Sequence, residues 1–284
     1  MVIDKKIDTG ERFRWAECQL NALQKCLNRP MLQKALASLP ETLDDTYVRI
    51  LCNIDKEHSQ YALRILQWLV YSARPLQIEE LVEVIAVDPD GDPRFDAKNR
   101  LKEPRDILTI CSSLVTTTVE TTVDHRGETT TKELVRLAHF SVKEYLVSDR
   151  IQAGEAKQYS ILEIYANMSI VKICLAYLLQ FDRSDSLGSE TVKDFPLARY
   201  AAQYWTQHAR VAGKDASSIH PLIMELFLSK RNAYINWIRL FDPDRAFEKE
   251  PNVTRDLKSV ASPLYYASLA GLIESVRLLL KGGG

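Results

Sequence analysis

Apolar residues recur along this chain at three- and four-residue steps for most of its length, and at two-residue steps in one place only. The first spacing predicts amphipathic helices and the second a strand. Residues 11–27 put Phe13, Ala16, Leu20, Leu23 and Leu27 on the inner face of a helix. Pro30 restarts a short helix through Met31, Leu32 and Leu36, which ends at Pro40. Thr42, with Asp45 three positions on, caps a third helix that carries Tyr47, Ile50, Leu51 and Ile54.

The pattern then becomes denser. EHSQYALRILQWLVYSA, from Glu57, is apolar enough to be covered on most sides, and Arg74-Pro75 breaks it. Residues 76–87 form a second helix with Ile78, Leu81, Val82 and Ile85 inward, weakly capped by Gln77 with Glu80. DPDGDPRFDAKN (88–99) is a loop by its Pro, Gly and Asp content. Pro104 begins a third short helix, after which Leu114 to Val123 is rich in Thr and Val, as strands are. A turn around Gly127 leads to a returning strand, Leu134 to Ala138. Helix, helix, helix, hairpin is the order of a winged helix.

At the exit of that hairpin the sequence LVRLAHFSVKEYLV (134–147) passes from strand to helix through His139. Ser141 and Glu144 spell a capping box, with Phe140 and Tyr145 placed as its hydrophobic staple. His139 at the junction can point away from both elements, as a sensing side chain would, or serve as a buried hydrogen-bonding group. Beyond Asp149 the reading is all-α: a long helix over 155–180, another over 195–210 with Pro196 in its first turn, two short ones over 219–230 and 232–241, and an irregular connection through 256. In the last segment Ser262-Pro263 caps and starts a helix that Gly271 ends, and Leu272 to Leu280 is a second, closed by Gly282. Ser262, Pro263, Leu264, Tyr265 and Ala267 stand where an ankyrin repeat has TPLHxA, with Tyr265 in place of the usual histidine.

Composition changes little in this picture. At 284 residues, with 46% hydrophobic and 26% charged residues, the chain is an ordinary globular one. A net charge of -1 supplies no field for nucleic acid or anionic lipid. The winged-helix stretch, 57–150, holds 12 Lys/Arg against 16 Asp/Glu, so the basic cluster Arg100, Lys102 and Arg105 reads as a solvated face rather than a DNA surface. No apolar run reaches the length of a membrane span and no signal peptide opens the sequence, which leads us to expect a cytoplasmic location. Cys18, Cys26, Cys52, Cys111 and Cys174 are scattered through helical patterns and read as free buried thiols. The four tryptophans, Trp15, Trp68, Trp205 and Trp237, read as core; the Tyr200, Tyr204, Trp205 cluster fits helix packing or a partner face.

Catalytic chemistry is not legible. Gly10, Gly91, Gly127, Gly154, Gly188, Gly213 and Gly271 are too widely spaced for a P-loop, and His58, His125, His139, His208 and His220 make no HExxH. The expectation is a non-enzyme that binds no metal and, by itself, no nucleotide.

Five long stretches carry a family likeness: FRWAECQLNALQKCL, LQKALASLPETLDDTYVRIL, ALRILQWLVYSARPLQIEELVEVIAV, LVRLAHFSVKEYLVS and FPLARYAAQYWTQHA. Together they resemble the region downstream of the NACHT nucleotide-binding core in fungal STAND proteins of the NACHT-ankyrin, NLR-like type. The resemblance implies the tail of a helical lid at 1–55, a winged-helix domain at 56–150, a helical linker domain at 151–256 and one full or partial ankyrin repeat at 257–284. The implied fold is mainly α, with one β-hairpin and the start of an ankyrin solenoid. It also implies that His139 stands where such switches place a histidine against the β-phosphate of ADP, while Phe140 replaces the acid that follows in their motif. ATP or ADP would then belong to a full-length relative, and the partners of this chain would be the NACHT core upstream or other proteins. Three functions follow in order: a regulatory, protein-interacting piece of a signalling switch; a free-standing ankyrin-type interaction scaffold; and a DNA-binding winged helix.

Overall fold

The computed structural model describes residues 9–24, 26–123, 127, 129–182, 187–188, 191–213, 217–228, 232–247 and 250–282. Three helices open the chain: α1 (Thr9–Gln24), α2 (Arg29–Ala37) and α3 (Leu43–Cys52). Asn28 caps α2 through the N–H of Met31 and Thr42 caps α3 through that of Asp45, each side-chain oxygen satisfying a helix-end donor. The inward face of α1 is not the apolar one. Phe13, Leu20 and Leu27 are exposed, whereas Arg14, Cys18 and Gln19 are buried, and α2 buries none of its side chains. Helical periodicity shows that a stripe exists; the polar groups waiting on α3 and at Ser113 decide which stripe turns inward.

The central unit follows as α4 (Ser59–Tyr71), β1 (Leu76–Gln77), α5 (Ile78–Ala86), α6 (Asp106–Cys111), β2 (Val115–Val123), β3 (Thr129–Leu137) and α7 (Phe140–Leu146). The three helices and the β2–β3 hairpin are those of a winged helix. Several details differ from the sequence reading, among them that the returning strand begins at Thr129 rather than Leu134. A short strand precedes α5, so the sheet has three strands in the order β1-β3-β2, all antiparallel, with Leu76 opposite Val135 and Val115 opposite Leu137. Pro104 lies in a turn ahead of α6, its carbonyl accepting from the N–H of Ile107, instead of opening the helix. The hairpin turn passes through Gly127, at φ 80°, where a side chain would be strained.

The third unit is built on α9 (Glu163–Leu179), reached through α8 (Asp149–Gln152). Helix α9 is apolar on nearly every side, burying Ile170, Val171, Ile173, Cys174, Leu175, Tyr177 and Leu178. A helix covered all round must be central. It packs against α4 of the winged helix and against α10 (Ala198–Ala212), α11 (His220–Leu228) and α12 (Ala233–Leu240). Trp205 and Trp237 meet edge to face at 5.3 Å, with Phe227, Tyr234 and Tyr266 around them. Trp68, Trp205 and Trp237 are fully buried; Trp15 is half-buried and donates to the carbonyl of Pro40 at 3.0 Å. The Tyr200, Tyr204, Trp205 cluster is resolved toward packing, since Tyr200 and Trp205 are inaccessible. Of the cysteines, Cys18, Cys111 and Cys174 are buried, Cys26 is half-buried, and Cys52 is exposed because it lies off the Tyr47–Leu51 face that α3 turns inward.

Two helices joined at Gly271, α13 (Pro263–Leu269) and α14 (Ile273–Gly282), close the described chain. They pack back onto the third unit through α11, and one continuous core runs from Tyr47 to Leu272. The sequence set the start of α14 one residue early and ended it too soon; the helix includes Gly282. Among the described residues no helix is long and apolar enough to cross a membrane.

Candidate functional site

The strand-to-helix junction after β3 is where the winged helix meets the opening helices. Ala138 continues the ladder by donating to the carbonyl of Leu114 at 2.9 Å. His139 is then extended (φ -156°, ψ 153°) and caps α7: its Nδ1 accepts the N–H of Ser141 at 3.3 Å. The expected capping box is therefore not formed. Ser141 already lies inside the helix, buried, and Glu144 is exposed. The staple fails for the same reason: Phe140 is turned out to solvent beside the His139 ring (4.3 Å between centroids), and Tyr145 packs on Tyr47 instead (5.6 Å). The helix begins two residues earlier than the serine signature implies, and the imidazole reaches the donor first.

Freed from capping, the Ser141 hydroxyl sits 2.6 Å from Nδ1 of His139 and 2.8 Å from the hydroxyl of Tyr47 on α3. Because Nδ1 accepts a backbone N–H, it carries no proton in the neutral ring, and the proton lies on Nε2. The consistent direction of the chain is Tyr47 O–H to Ser141, and Ser141 O–H to His139. Burial pushes the Tyr47 phenol up in pKa, which keeps it a donor. Beside it Arg14, 4% exposed, pairs with Glu17 and donates to the carbonyl of Ser113, while its Nε is buried without a partner. Arg150 and Asp44 add an exposed pair at 2.7 Å. These contacts hold α1 and α3 against the winged helix.

The opposite side of the winged helix carries two acids that periodicity did not single out. Glu80 and Glu83 on α5 are 1% and 2% exposed, so each needs a cation and hydrogen bonds to replace the water it has lost. Arg74 grips Glu80 with both terminal nitrogens, and Glu80 also accepts the N–H of Gln77 at 2.8 Å. Glu83 accepts from Arg100 and, at 2.6 Å, from the hydroxyl of Tyr177 on α9. Arg74 lies over the ring of Tyr200 (5.1 Å to its centroid). The Tyr200 hydroxyl accepts the N–H of Ala73 at 2.9 Å and lies 3.0 Å from Nε2 of His208, whose Nδ1 is 2.7 Å from the Asn167 side-chain oxygen. Asn167 presents its carbonyl oxygen, so Nδ1 donates and Nε2 accepts from Tyr200. Burial lowers the His208 pKa to about 4 and keeps the ring neutral. A legible signal existed: apolar residues at 78, 81, 82, 84, 85 and 86 leave α5 no wet face broad enough for its three glutamates.

Other expected positions are dispersed. Arg100 and Arg105 are committed to Glu83 and Glu133, so the basic cluster is charge-paired, with Lys102 exposed beside Glu103. His125 and Arg126 lie outside the described residues. No group of His, Cys, Asp or Glu among the described residues is placed to hold a metal. In the terminal hairpin Ser262 caps α13 by accepting the N–H of Tyr265 at 3.3 Å, Pro263 is its first residue, Leu264 is half-buried and Ala267 is buried. Gly271 turns the chain at φ 70°. Tyr265 donates to Asp244 at 2.8 Å, and its buried neighbour Tyr266 lies 3.1 Å from the other oxygen of Asp244.

Comparison with known proteins bears on the central unit. Residues 47–158 match the family model of the GPI inositol-deacylase winged helix domain. Over 274 residues the chain is 38% identical to the azaphilone pigments biosynthesis cluster protein L of Monascus ruber, covering 95% of this chain and 57% of that protein. The chain thus spans little more than half the length of the curated relative it matches. No solved structure matches it. The chain carries a winged helix domain of the GPI inositol-deacylase type, and the matched stretch begins at Tyr47, the residue that bonds Ser141.

Proposed function

We propose that this chain is a non-catalytic regulatory and protein-interaction segment of a NACHT-ankyrin switch, in which the winged helix relays the state of a nucleotide-bound core to the helical linker and an ankyrin-type hairpin. The observation that carries the reading is the division of labour within His139. Its Nδ1 faces inward to Ser141 and, through it, to Tyr47 of the helical subdomain. Its Nε2–H makes no hydrogen bond among the described residues, and the ring is half-buried. Such an imidazole couples the position of α3 to a donor that an anionic group, such as the β-phosphate of ADP on a neighbouring core, can accept from. A winged helix is suited to the task when both of its flanks are bonded to other units, as Tyr47 and Tyr177 bond this one.

The chain itself needs no cofactor in this reading. Calorimetry of the chain with ADP is expected to give no binding heat, and micromolar affinity would overturn the assignment of the nucleotide to a separate core. In the gene product that includes that core, His139→Ala should weaken ADP binding about tenfold, the loss of roughly one charge-assisted hydrogen bond. Unchanged affinity there would remove the histidine from the switch. The second reading, a free-standing protein-interaction scaffold, draws on Leu269, Ile273 and Leu280, which are exposed on the terminal hairpin. A gene encoding no in-frame P-loop would favour it.

A further inference from the structure

The wing ends in an open edge. In the order β1-β3-β2, β3 is paired on both sides and one side of β2 has no partner strand among the described residues. The ladder contact between Ala138 and Leu114 fixes which backbone groups face that side. Position 114 is hydrogen-bonded to 138, so by the two-residue repeat of an antiparallel pair Thr116, Thr118, Glu120 and Thr122 address β3. Val115, Thr117, Val119, Thr121 and Val123 therefore aim their N–H and C=O groups outward. Val115, at the base of the strand, is buried, but Thr116 and Thr118 to Val123 are exposed and Thr117 is half-buried, so from residue 116 to 123 the edge lies open among the described residues.

Proteins normally blunt such an edge with proline, lysine, a bulge or brevity. Strand β2 is nine residues long, pairs with β3 without a bulge, and contains no proline or lysine. Its sequence, VTTTVETTV, is also close to a palindrome about Val119. Laid antiparallel on a second copy of itself, with a two-fold axis through Val119, the strand sets Val119 opposite Val119, Val115 opposite Val123 and Thr117 opposite Thr121. The outward-facing backbone groups of each copy meet those of the other. Glu120 falls opposite Thr118, so the one carboxylate of the strand is never opposite its own mate. Moving the axis to residue 120 sets the two carboxylates against each other and valine against threonine, and a one-residue change of register sets each outward-facing residue opposite one whose backbone groups face β3. Val119 and Val123, 68% and 65% exposed, are then covered by cross-strand neighbours of high β-propensity.

We propose that β2 is a self-recognition edge, through which two copies of this chain join their sheets about a two-fold axis at Val119. This is an isologous contact, which closes at two copies. Sedimentation velocity of the full chain over a range of concentrations tests it, with a monomer–dimer equilibrium expected. Thr121→Pro deletes an outward N–H and no bond to β3, so it should leave the fold intact and weaken the dimer about tenfold or more. Val119→Lys and Val119→Glu each place like charges on the axis and should be monomeric alone, while an equimolar mixture should restore a dimer. A wild-type chain that stays monomeric at all concentrations overturns the proposal, as does one that stays monomeric but pairs with an added extended Val/Thr peptide. Assembly beyond two copies, a Thr121→Pro chain that dimerises as well as wild type, or a Lys/Glu mixture that stays monomeric would overturn it too.

Discussion

The two flanks of the winged helix are joined to their neighbours by different physics. Toward the third unit, the seam is deep: Glu80, Glu83, Tyr177, Tyr200 and His208 are buried, each charge has its counter-charge, and α9 and α10 supply an aromatic wall. Toward α1–α3 it is thinner: α3 adds Tyr47 and Leu51 to the core, and the Tyr47–Ser141–His139 chain, the buried Arg14 and the exposed Arg150–Asp44 pair complete it, on helices whose Phe13, Leu20, Met31 and Leu36 face solvent. Its aromatic burial favours the first seam, and its buried charges make the loss of any one partner costly. The expectation that follows is that the winged helix and the third unit respond as one block, and that the seam to the opening helices is the first to open.

Breaking the deep seam should cost most. Glu83→Ala leaves Arg100 unpaired and Tyr177 with a buried hydroxyl, and about 3 kcal/mol of unfolding free energy should be lost in urea titration. A smaller loss would place the seam's strength in the aromatics. Acid attacks the same seam through His208. Its folded pKa of about 4 lies below the ordinary value of 6.5, so below pH 6.5 the unfolded chain takes up a proton that the folded chain refuses. Stability attributable to this group is undiminished above pH 6.5 and falls as pH drops toward 4, by about 3 kcal/mol in total. His208→Gln should flatten that part of the stability–pH curve, and an unchanged curve would acquit the histidine.

At the thin seam the effects should be smaller. Tyr47→Phe removes the bond to Ser141 and should cost about 1–2 kcal/mol; its sharper signature is faster hydrogen exchange in α1 and α3 with α9 unaffected. If α9 loosens equally, the two seams are not separate. Smallest is the cap: His139→Ala should cost about 1 kcal/mol, and Glu144→Ala no more than about 0.5 kcal/mol, because the glutamate closes no capping box. The reverse ranking would restore the serine cap.

Much of this architecture is readable before folding. The order of α4, α5, α6 and the hairpin follows from where periodicity changes from helical to alternating, and Thr42, Ser262 and Gly271 mark ends by local chemistry that acts within four residues. The strand β1 escaped because two residues have no periodicity; only Val135 across the sheet defines them. The start of α7 was misplaced because Ser141 and His139 both offer a cap within two residues, and Tyr47, distant in sequence, competes for the serine.

The sequence by itself determined the helical and hairpin elements, the absence of a P-loop, and the near-palindrome of β2, since each is a property of neighbours along the chain. Tertiary structure alone decided which face of α1 turns inward, that Glu80 and Glu83 are buried and paired, and that His139 joins Ser141 and Tyr47. Those outcomes depend on partners up to 99 positions away, as Arg14 and Ser113 are, and the energy of a polar group is set by what surrounds it once water has been excluded.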